Sequence, residues 1–371
     1  MTEGTESEEQ LSPEEIATAR KSATEISKCP SCGANLTYNP AHGTLKCDYC
    51  GTEVKVDMTE YAEEIDFSRL VKDNNDWGNE TKVFQCSNCG ARQILSRLDI
   101  APKCAFCGTS NIVETDSMSG IKPNAILPFL IGKESASAFY IKWAKKKPFA
   151  PRSFKKDLKP EQLSGHYYPA FTFDSRTESP YFGRLGKHYY TTHTDSKGHV
   201  HTTMHTRYFF INGTYRMFFN DVFVHAGAES VKKTIRKIGP YATDDSHKYS
   251  SDFLHGFSAS KYEKDGLACW QEARGLMSSS IRTNILAQYD YDVIDSFDFN
   301  MHCYNTTYKY LLLPVYVGHT EFNHKLYNFY MNGQNGKVRG KTPKSPLKIA
   351  LTALFGLAVA AAIVLAVIFG G

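Results

Sequence analysis

The sequence predicts an α+β protein: two tandem four-cysteine zinc ribbons, a β-rich body with a few helices, and one C-terminal transmembrane helix. Three observations carry this. Eight cysteines fall into two like-spaced quartets, aromatic strand patterns fill the middle, and a long uncharged run lies at the C-terminal end. The 371 residues exceed one small domain, and 42 % apolar content is ordinary for a packed chain, which excludes global disorder. The 22 tyrosines and 23 phenylalanines favour strands, where such side chains fit a pleated, half-buried surface.

The quartets are Cys29, Cys32, Cys47, Cys50 and Cys86, Cys89, Cys104, Cys107. Each reads C-x2-C, fourteen residues, C-x2-C, and the second repeats the first 57 residues on (86 − 29, and likewise for the other three). Thiolates two residues apart bite one tetrahedral ion, and a hairpin brings two such pairs together. Gly33, Gly51, Gly90 and Gly108 follow the closing cysteines, where the chain turns back tightly. An all-cysteine set leaves no open coordination position, so the expected cofactors are two structural Zn²⁺ ions. A disulfide framework would suit a secreted chain, but the opening MTEGTESEEQ is acidic and lacks an apolar run. The formal charge of +4 falls to about zero once eight thiolates and two divalent ions are counted, which argues against a nucleic-acid coat protein. Cys269 and Cys303 lack a C-x2-C partner and read as core residues.

From Ile349 to Phe369 the chain reads IALTALFGLAVAAAIVLAVIF. A helix of that length spans about 31 Å, the thickness of a bilayer's hydrocarbon core. Only Gly370 and Gly371 follow, so a tail anchor is expected. Lys337, Arg339, Lys341, Lys344 and Lys348 precede it, and cations flanking a span stay inside; the bulk of the chain is therefore expected in the cytoplasm, at the cell membrane.

Between these ends, residues 1–27 form an acidic tail or short helix, ribbon one covers 28–56, a connector 57–82, and ribbon two 83–113. An aromatic-rich α+β body fills 117–345, and 349–369 is the transmembrane helix. In the body, Ala136, Phe139, Tyr140 and Trp143 fall on one helical stripe. A second helix is expected around Leu267–Ala287, with Leu267, Trp270, Ala273, Met277, Ile281 and Ile285 inward. Asn212-Gly213 between aromatic runs predicts a hairpin turn, and Pro314 an edge or bulge position.

The two CxxCG ribbons, ILPF, KKPFAPRSF, GHYYPAFTFD and YNFYMNGQNGKVRGKTPKSPLK before a membrane helix resemble a bacterial family over about 28–371. It is the double-zinc-ribbon, single-span family often labelled transcription-factor-type zinc ribbon-containing protein or primosomal protein N′. The resemblance implies action at the membrane near SPFH-type and phage-shock-type scaffold proteins.

Other chemistry is weakly encoded. The string ending Gly340-Lys341-Thr342 has Asn335 where a phosphate-binding loop needs glycine, so no nucleotide is expected. The basic stretch Lys142–Lys159, interleaved with Trp143, Phe149 and Phe154, reads as a solvated face, an anionic-membrane contact or a nucleic-acid contact. Arg92, Arg97 and Lys103 make ribbon two only mildly basic. His193, His199, His201 and His205 flank a DSKG hairpin tip with no carboxylate or cysteine spaced to complete a metal set. Asp290, Asp292, Asp295 and Asp298 fit a strand with one wet face. No catalytic motif stands out, and a non-enzyme is expected. The expected function is a membrane-anchored zinc-binding adaptor that recruits protein partners to the bilayer. The alternative is a membrane-tethered nucleic-acid-binding ribbon protein.

Overall fold

A computed structural model describes residues 28–72, 81–87, 92–96, 112–115, 121–156, 158 and 163–369. The acidic tail 1–27, Cys89, Cys104, Cys107, Arg97, Lys103 and Lys159 lie outside the described residues. The described chain is mixed α/β, with a β-rich body and few helices.

The first cysteine unit is an antiparallel meander of β1 (Leu36–Asn39), β2 (Thr44–Cys47) and β3 (Glu53–Lys55). Leu36, Tyr38 and Leu45 are buried. The Tyr38 ring meets Phe253 and Phe257 of the body at 5.4 and 6.2 Å, and its N–H donates to the His255 carbonyl at 3.0 Å. The unit is thus packed on the body, sharing one core with it. Around the second quartet stand β5 (Thr81–Cys86), β6 (Arg92–Ser96) and β7 (Ile112–Thr115), with β5 between the others. Lys28 bridges Asn35 in the first unit, and 57 residues on Gln85 pairs with Arg92. The two units share that register.

The connector holds β4 (Ile65–Asp66) and the short helix α1 (Arg69–Lys72). It is no free linker: β4 pairs with the body, and Leu70 is buried against Gly266, where a Cβ would meet the leucine methyl at 2.5 Å.

The body centres on β9 (Ser164–Thr194), β10 (Val200–His225) and β14 (His302–Phe322) in one sheet. Strand β14 flanks β9 on one side; β10 and the short β12 (Ser258–Ser260) flank it on the other. Strand β13 (Val293–Phe299) takes over from β14 beside the distal part of β9, and β15 (Lys325–Asn332) and β16 (Val338–Gly340) extend the sheet beyond β14. Helices α2 (Lys133–Lys145) and α3 (Arg152–Lys156) precede β9, and α4 (Glu229–Ile238) follows β10. Helix α5 (Gly266–Leu286) starts at Asp265, whose carboxylate accepts from the Ala268 N–H at 2.7 Å. Its buried stripe is Cys269, Trp270, Ala273, Met277, Ile281 and Ile285. Leu267, expected inward, is 45 % exposed; Cys269 is buried in that turn, as expected of a core cysteine. Cys303 is half-buried. In α2, Ala136, Tyr140 and Ala144 are buried while Phe139 is exposed.

Two turn expectations change. Asn212-Gly213 lies mid-strand in β10, paired with Phe182 and Tyr181. The glycine answers crowding: a Cβ there would lie 2.7 Å from the Tyr181 hydroxyl. The hairpin turns at the DSKG tip, as its sequence suggests, where Gly198 has φ +83° and Asp195 accepts from the N–H groups of Lys197 and His199, both at 2.9 Å. Pro314 sits inside β14, not at an edge. Its partner on the other side changes there, from β8 (Ala125–Ile126), itself edged by β11 (His247–Lys248), up to Leu312 to β15 from Val315 onward, and the Pro314 carbonyl accepts from Gly333. Its missing N–H therefore falls in a gap between partners, where no ladder bond is lost.

The α5 stripe supplies the first prediction. Ile281→Ala removes a fully buried side chain from a helix that covers β10 and should destabilise the body by about 2–5 kcal/mol. The surface change Arg274→Ala on the same helix should cost less than about 0.5 kcal/mol. Thermal midpoints of both variants against the parent check this.

Candidate metal centre

The first quartet converges as its spacing demands. Cys29, Cys32, Cys47 and Cys50 bring their sulfurs within 4.8 Å of one another, with Cys29–Cys50 at 3.4 Å and Cys32–Cys47 at 3.5 Å. A disulfide needs about 2.05 Å, so no pair is bonded. A tetrahedral ion held by sulfur at about 2.3 Å needs sulfurs roughly 3.8 Å apart, close to what is seen. Each C-x2-C pair forms a tight knuckle: Gly33 N–H donates to Cys29 C=O at 2.8 Å and Gly51 N–H to Cys47 C=O at 3.0 Å. Both glycines have positive φ, +72° and +75°, which a side chain would strain.

The electrostatics suit thiolates. Burial pushes the Cys29 thiol up, but N–H groups of Ser31 and Cys32 outweigh it and bring it to about 6. The Thr52 hydroxyl and N–H lower Cys50. Cys32 receives an N–H from Ala34, yet the neighbouring sulfurs of Cys47 and Cys50 push it to about 12. Four thiols this close cannot all ionise unaided; a divalent cation removes the conflict. Cys29 and Cys47 are buried, while Cys32 and Cys50 face solvent. The cluster can hold one metal ion with no vacant position for substrate. Of the second quartet only Cys86 is placed, at the end of β5; its three partners lie outside the described residues.

A second cluster was not foreseen. Lys309 of β14 lies 2.8 Å from Glu64 of the connector and 2.9 Å from Asp221, and Asp174 of β9 accepts from the Asp221 N–H at 2.7 Å. Asp221 occupies a break in register between Phe219 and Val222, with φ +49°. Side chains of Lys309 and Asp221 are only 9 and 8 % exposed, so this is a buried ion network joining the connector to three core strands, β9, β10 and β14. Burial lowers the Lys309 ammonium, and its two carboxylate partners more than restore it. Burial raises Asp221, yet Lys309 pulls it below the ordinary carboxylate range. Glu64 and Asp174 stay raised by burial. The signal was Lys309 itself, a lysine between Tyr308 and Tyr310 in an apolar strand, although nothing local named its partners. Beside it a cleft of about 280 Å³ is lined by Asp221, Phe223, Arg236, Gly239 and Tyr241; its only described carboxylate is already paired with Lys309.

The remaining candidates separate. The histidines at 193, 199, 201 and 205 are exposed on the hairpin arm. Contrary to expectation a carboxylate does reach them: Asp195 lies 3.4 Å from His199 and 3.3 Å from His201. Asp295 and Asp298 lie on β13, with Asp295 3.5 Å from Arg184, whereas Asp290 and Asp292 precede that strand and pair with Lys187, so the expected strand holds only two of the four aspartates. In the basic stretch, Lys142, Lys145, Lys146, Arg152 and Lys156 are exposed.

At the C-terminal end, helix α6 (Pro346–Phe369) is long and apolar enough to cross a membrane. Its segment Pro346–Val364 has a mean hydropathy of 2.3 and is 0 % buried within the protein.

Fold and site together define a β-rich mixed α/β protein that carries a closed four-cysteine cluster and an apolar C-terminal helix. The chain is similar to the uncharacterized protein YdjG of Bacillus subtilis (strain 168), at 28 % identity over 325 residues covering 87 % of this chain and 91 % of the relative. No protein-family model matches the chain. No solved structure matches it.

The ion network yields a pH prediction. Lys309→Met leaves buried carboxylates unpaired and should cost about 3–5 kcal/mol at pH 7. In the parent, Asp221 is lowered, so its contribution is present at neutral pH and is lost as pH falls through that lowered value. Glu64 and Asp174 are raised, so they oppose folding at neutral pH and cease to do so once protonated. Without Lys309, Asp221 joins the opposing groups. The deficit of the variant should therefore shrink as pH drops from about 5 towards 3. Paired thermal melts across that range check the sign; a deficit independent of pH would remove the electrostatic account.

Proposed function

We propose that this protein is a membrane-anchored adaptor, held at the bilayer by α6 and stiffened by two structural zinc ions, that recruits protein partners. The carrying observation is a surface: the β9–β10 hairpin exposes Phe182, Phe210 and Phe218 (63, 83 and 54 %) on a chain whose C-terminal helix is 0 % buried in its own body over Pro346–Val364. Arginines attend these rings. Arg184 lies 4.4 Å from the Tyr208 ring and 5.8 Å from Phe210, and Arg176 lies 5.7 Å from Phe218. Exposed aromatics with arginine are the composition of protein-binding surfaces. The closed thiol cluster supports a structural metal over a catalytic one, since a full set of four sulfurs admits no substrate. Zinc is the ion such a set prefers, and the register shared between the units at a 57-residue offset supports a second site of the same kind. The SPFH-type and phage-shock-type scaffolds implied by the family resemblance are the partners to test first. We assign no catalytic role.

Two outcomes are expected. Metal analysis of the purified chain should give about two zinc ions, and Cys32→Ser should remove about one; disulfides in place of metal would sink the zinc assignment. In pulldowns of the detergent-solubilised chain, Phe182→Ser combined with Phe210→Ser should lose partners at least tenfold while zinc content and thermal midpoint hold. A partner set unchanged by that double substitution, and lost instead on competition with DNA, would favour nucleic-acid binding.

A further inference from the structure

The basic stretch before β9 and the root of α6 are far apart in sequence and joined in space. The Ser345 N–H donates to the Phe149 carbonyl at 2.8 Å, and Lys348 Nζ donates to the carbonyls of Ala150 and Pro148 at 2.7 and 3.3 Å. The uncharged run begins at Ile349, the next residue. The loop 148–150 is therefore tied to the point where the helix leaves polar surroundings.

Cations from three stretches gather there. Lys155 of α3 donates to the Lys145 carbonyl at 2.7 Å, folding α3 back onto the end of α2. Lys147 lies 4.4 Å from the Trp143 ring and close enough to Arg339 of β16 to feel its charge. Lys341 follows through its N–H to the Asn328 carbonyl, and Lys344 directly precedes the docked Ser345. Among the described residues, no carboxylate lies within ion-pair distance of any lysine or arginine in 142–156 or 337–348. Other exposed cations of the body do have such partners, as Lys187, Arg216 and Lys248 show. Phe149 and Leu347, 36 and 69 % exposed, add apolar surface at the same end.

From this convergence we infer that the collar around the α6 root binds the anionic phospholipid headgroups of the leaflet that α6 enters. The inference rests on α6 being the membrane anchor. Cations without a carboxylate partner among the described residues, beside a bilayer surface and with apolar side chains among them, fit a negatively charged headgroup layer, and each contributes about fivefold in partitioning. A nucleic-acid strand would need the same charges on a surface clear of the membrane, and these lie beside the root of the helix that would enter it.

The test uses the full chain in detergent with an equimolar mixture of phosphatidylglycerol and phosphatidylcholine, counting retained lipids by native mass spectrometry. Phosphatidylglycerol should be retained preferentially. Replacing Lys145, Lys146, Arg152 and Lys156 with glutamine should cut that preference at least tenfold, whereas Lys→Arg at the three lysines should keep it. These side chains are exposed and hold no carbonyl, so the fold should be undisturbed; equal thermal midpoints verify it. Unchanged preference in the glutamine variant overturns the inference, as does single-stranded DNA that displaces phosphatidylglycerol from the collar. A parallel flotation with pure phosphatidylcholine vesicles isolates the anchor: both proteins should float. Failure to float overturns the anchoring, while floating without lipid preference overturns only the collar.

Discussion

The whole body is built on strand β9. Its first ten residues, Ser164–Phe173, are buried or nearly so on both faces, and it is paired on both edges by β14 and by β10 with β12. On such a strand a buried imidazole must find its partners within the protein. His166, fully buried, does so by bonding Ser258 at 2.6 Å and Ser260 at 2.7 Å, and burial lowers its pKa to about 3, so it stays neutral. Both serines come from β12, and that contact also brings β6 and its cysteine unit to the same edge. Further along, at Asp174, the strand meets the Lys309 network, which fastens the connector. The packing of the cysteine units, the connector and the core are consequences of one strand that cannot be left uncovered.

Legibility in the sequence followed locality. Thiol spacing is a local property, and the first four cysteines meet as their C-x2-C pairs require. Helices α2 and α5 were readable because one apolar stripe repeats at helical period. The length of β9 was not: nothing local marks Ser164–Thr194 as one strand, since its alternation is set by partners remote in sequence. Gly213 misled for the same reason. Asn-Gly is a turn signal when the strands end there, but this glycine makes room for Tyr181 across the ladder. Pro314 was misplaced because a break between neighbouring strands is invisible until the sheet is assembled. The buried ions were hidden because Glu64, Asp174, Asp221 and Lys309 are scattered over most of the chain.

The cysteine cluster and the ion network divide one task. Each fixes a segment with too little apolar surface to hold itself. The first unit has only short strands; docking of Tyr38 on Phe253 and Phe257 holds it, and a metal bound by the four thiols would cross-link it further. The connector contributes Ile65, Phe67 and Leu70 to the core and is held by Glu64 against Lys309. Holding these joints rigid keeps the exposed surfaces in fixed relation, as recruitment of a partner in one orientation would require.

That relation has a direction. Ser164, the first residue of β9, pairs with Val317, and the β14–β15 hairpin just beyond packs Phe322 and Tyr327 against Phe154 of α3. The collar and the root of α6 therefore sit at the start of β9. The strand then runs without interruption to Thr194, thirty-one residues with a contour of about 100 Å, and leaves the core near Lys187 to form the arm with β10. Phe182 lies well along that course, paired with Asn212, and Phe210 of β10 stands beside it, paired with Arg184; both rings are exposed. A continuous hydrogen-bonded strand transmits orientation in a way a linker cannot. If the collar sets how the body meets the leaflet, the same strand fixes where the aromatic face stands above it. Charge at the membrane and access for a partner are then coupled through β9 alone, with no moving part.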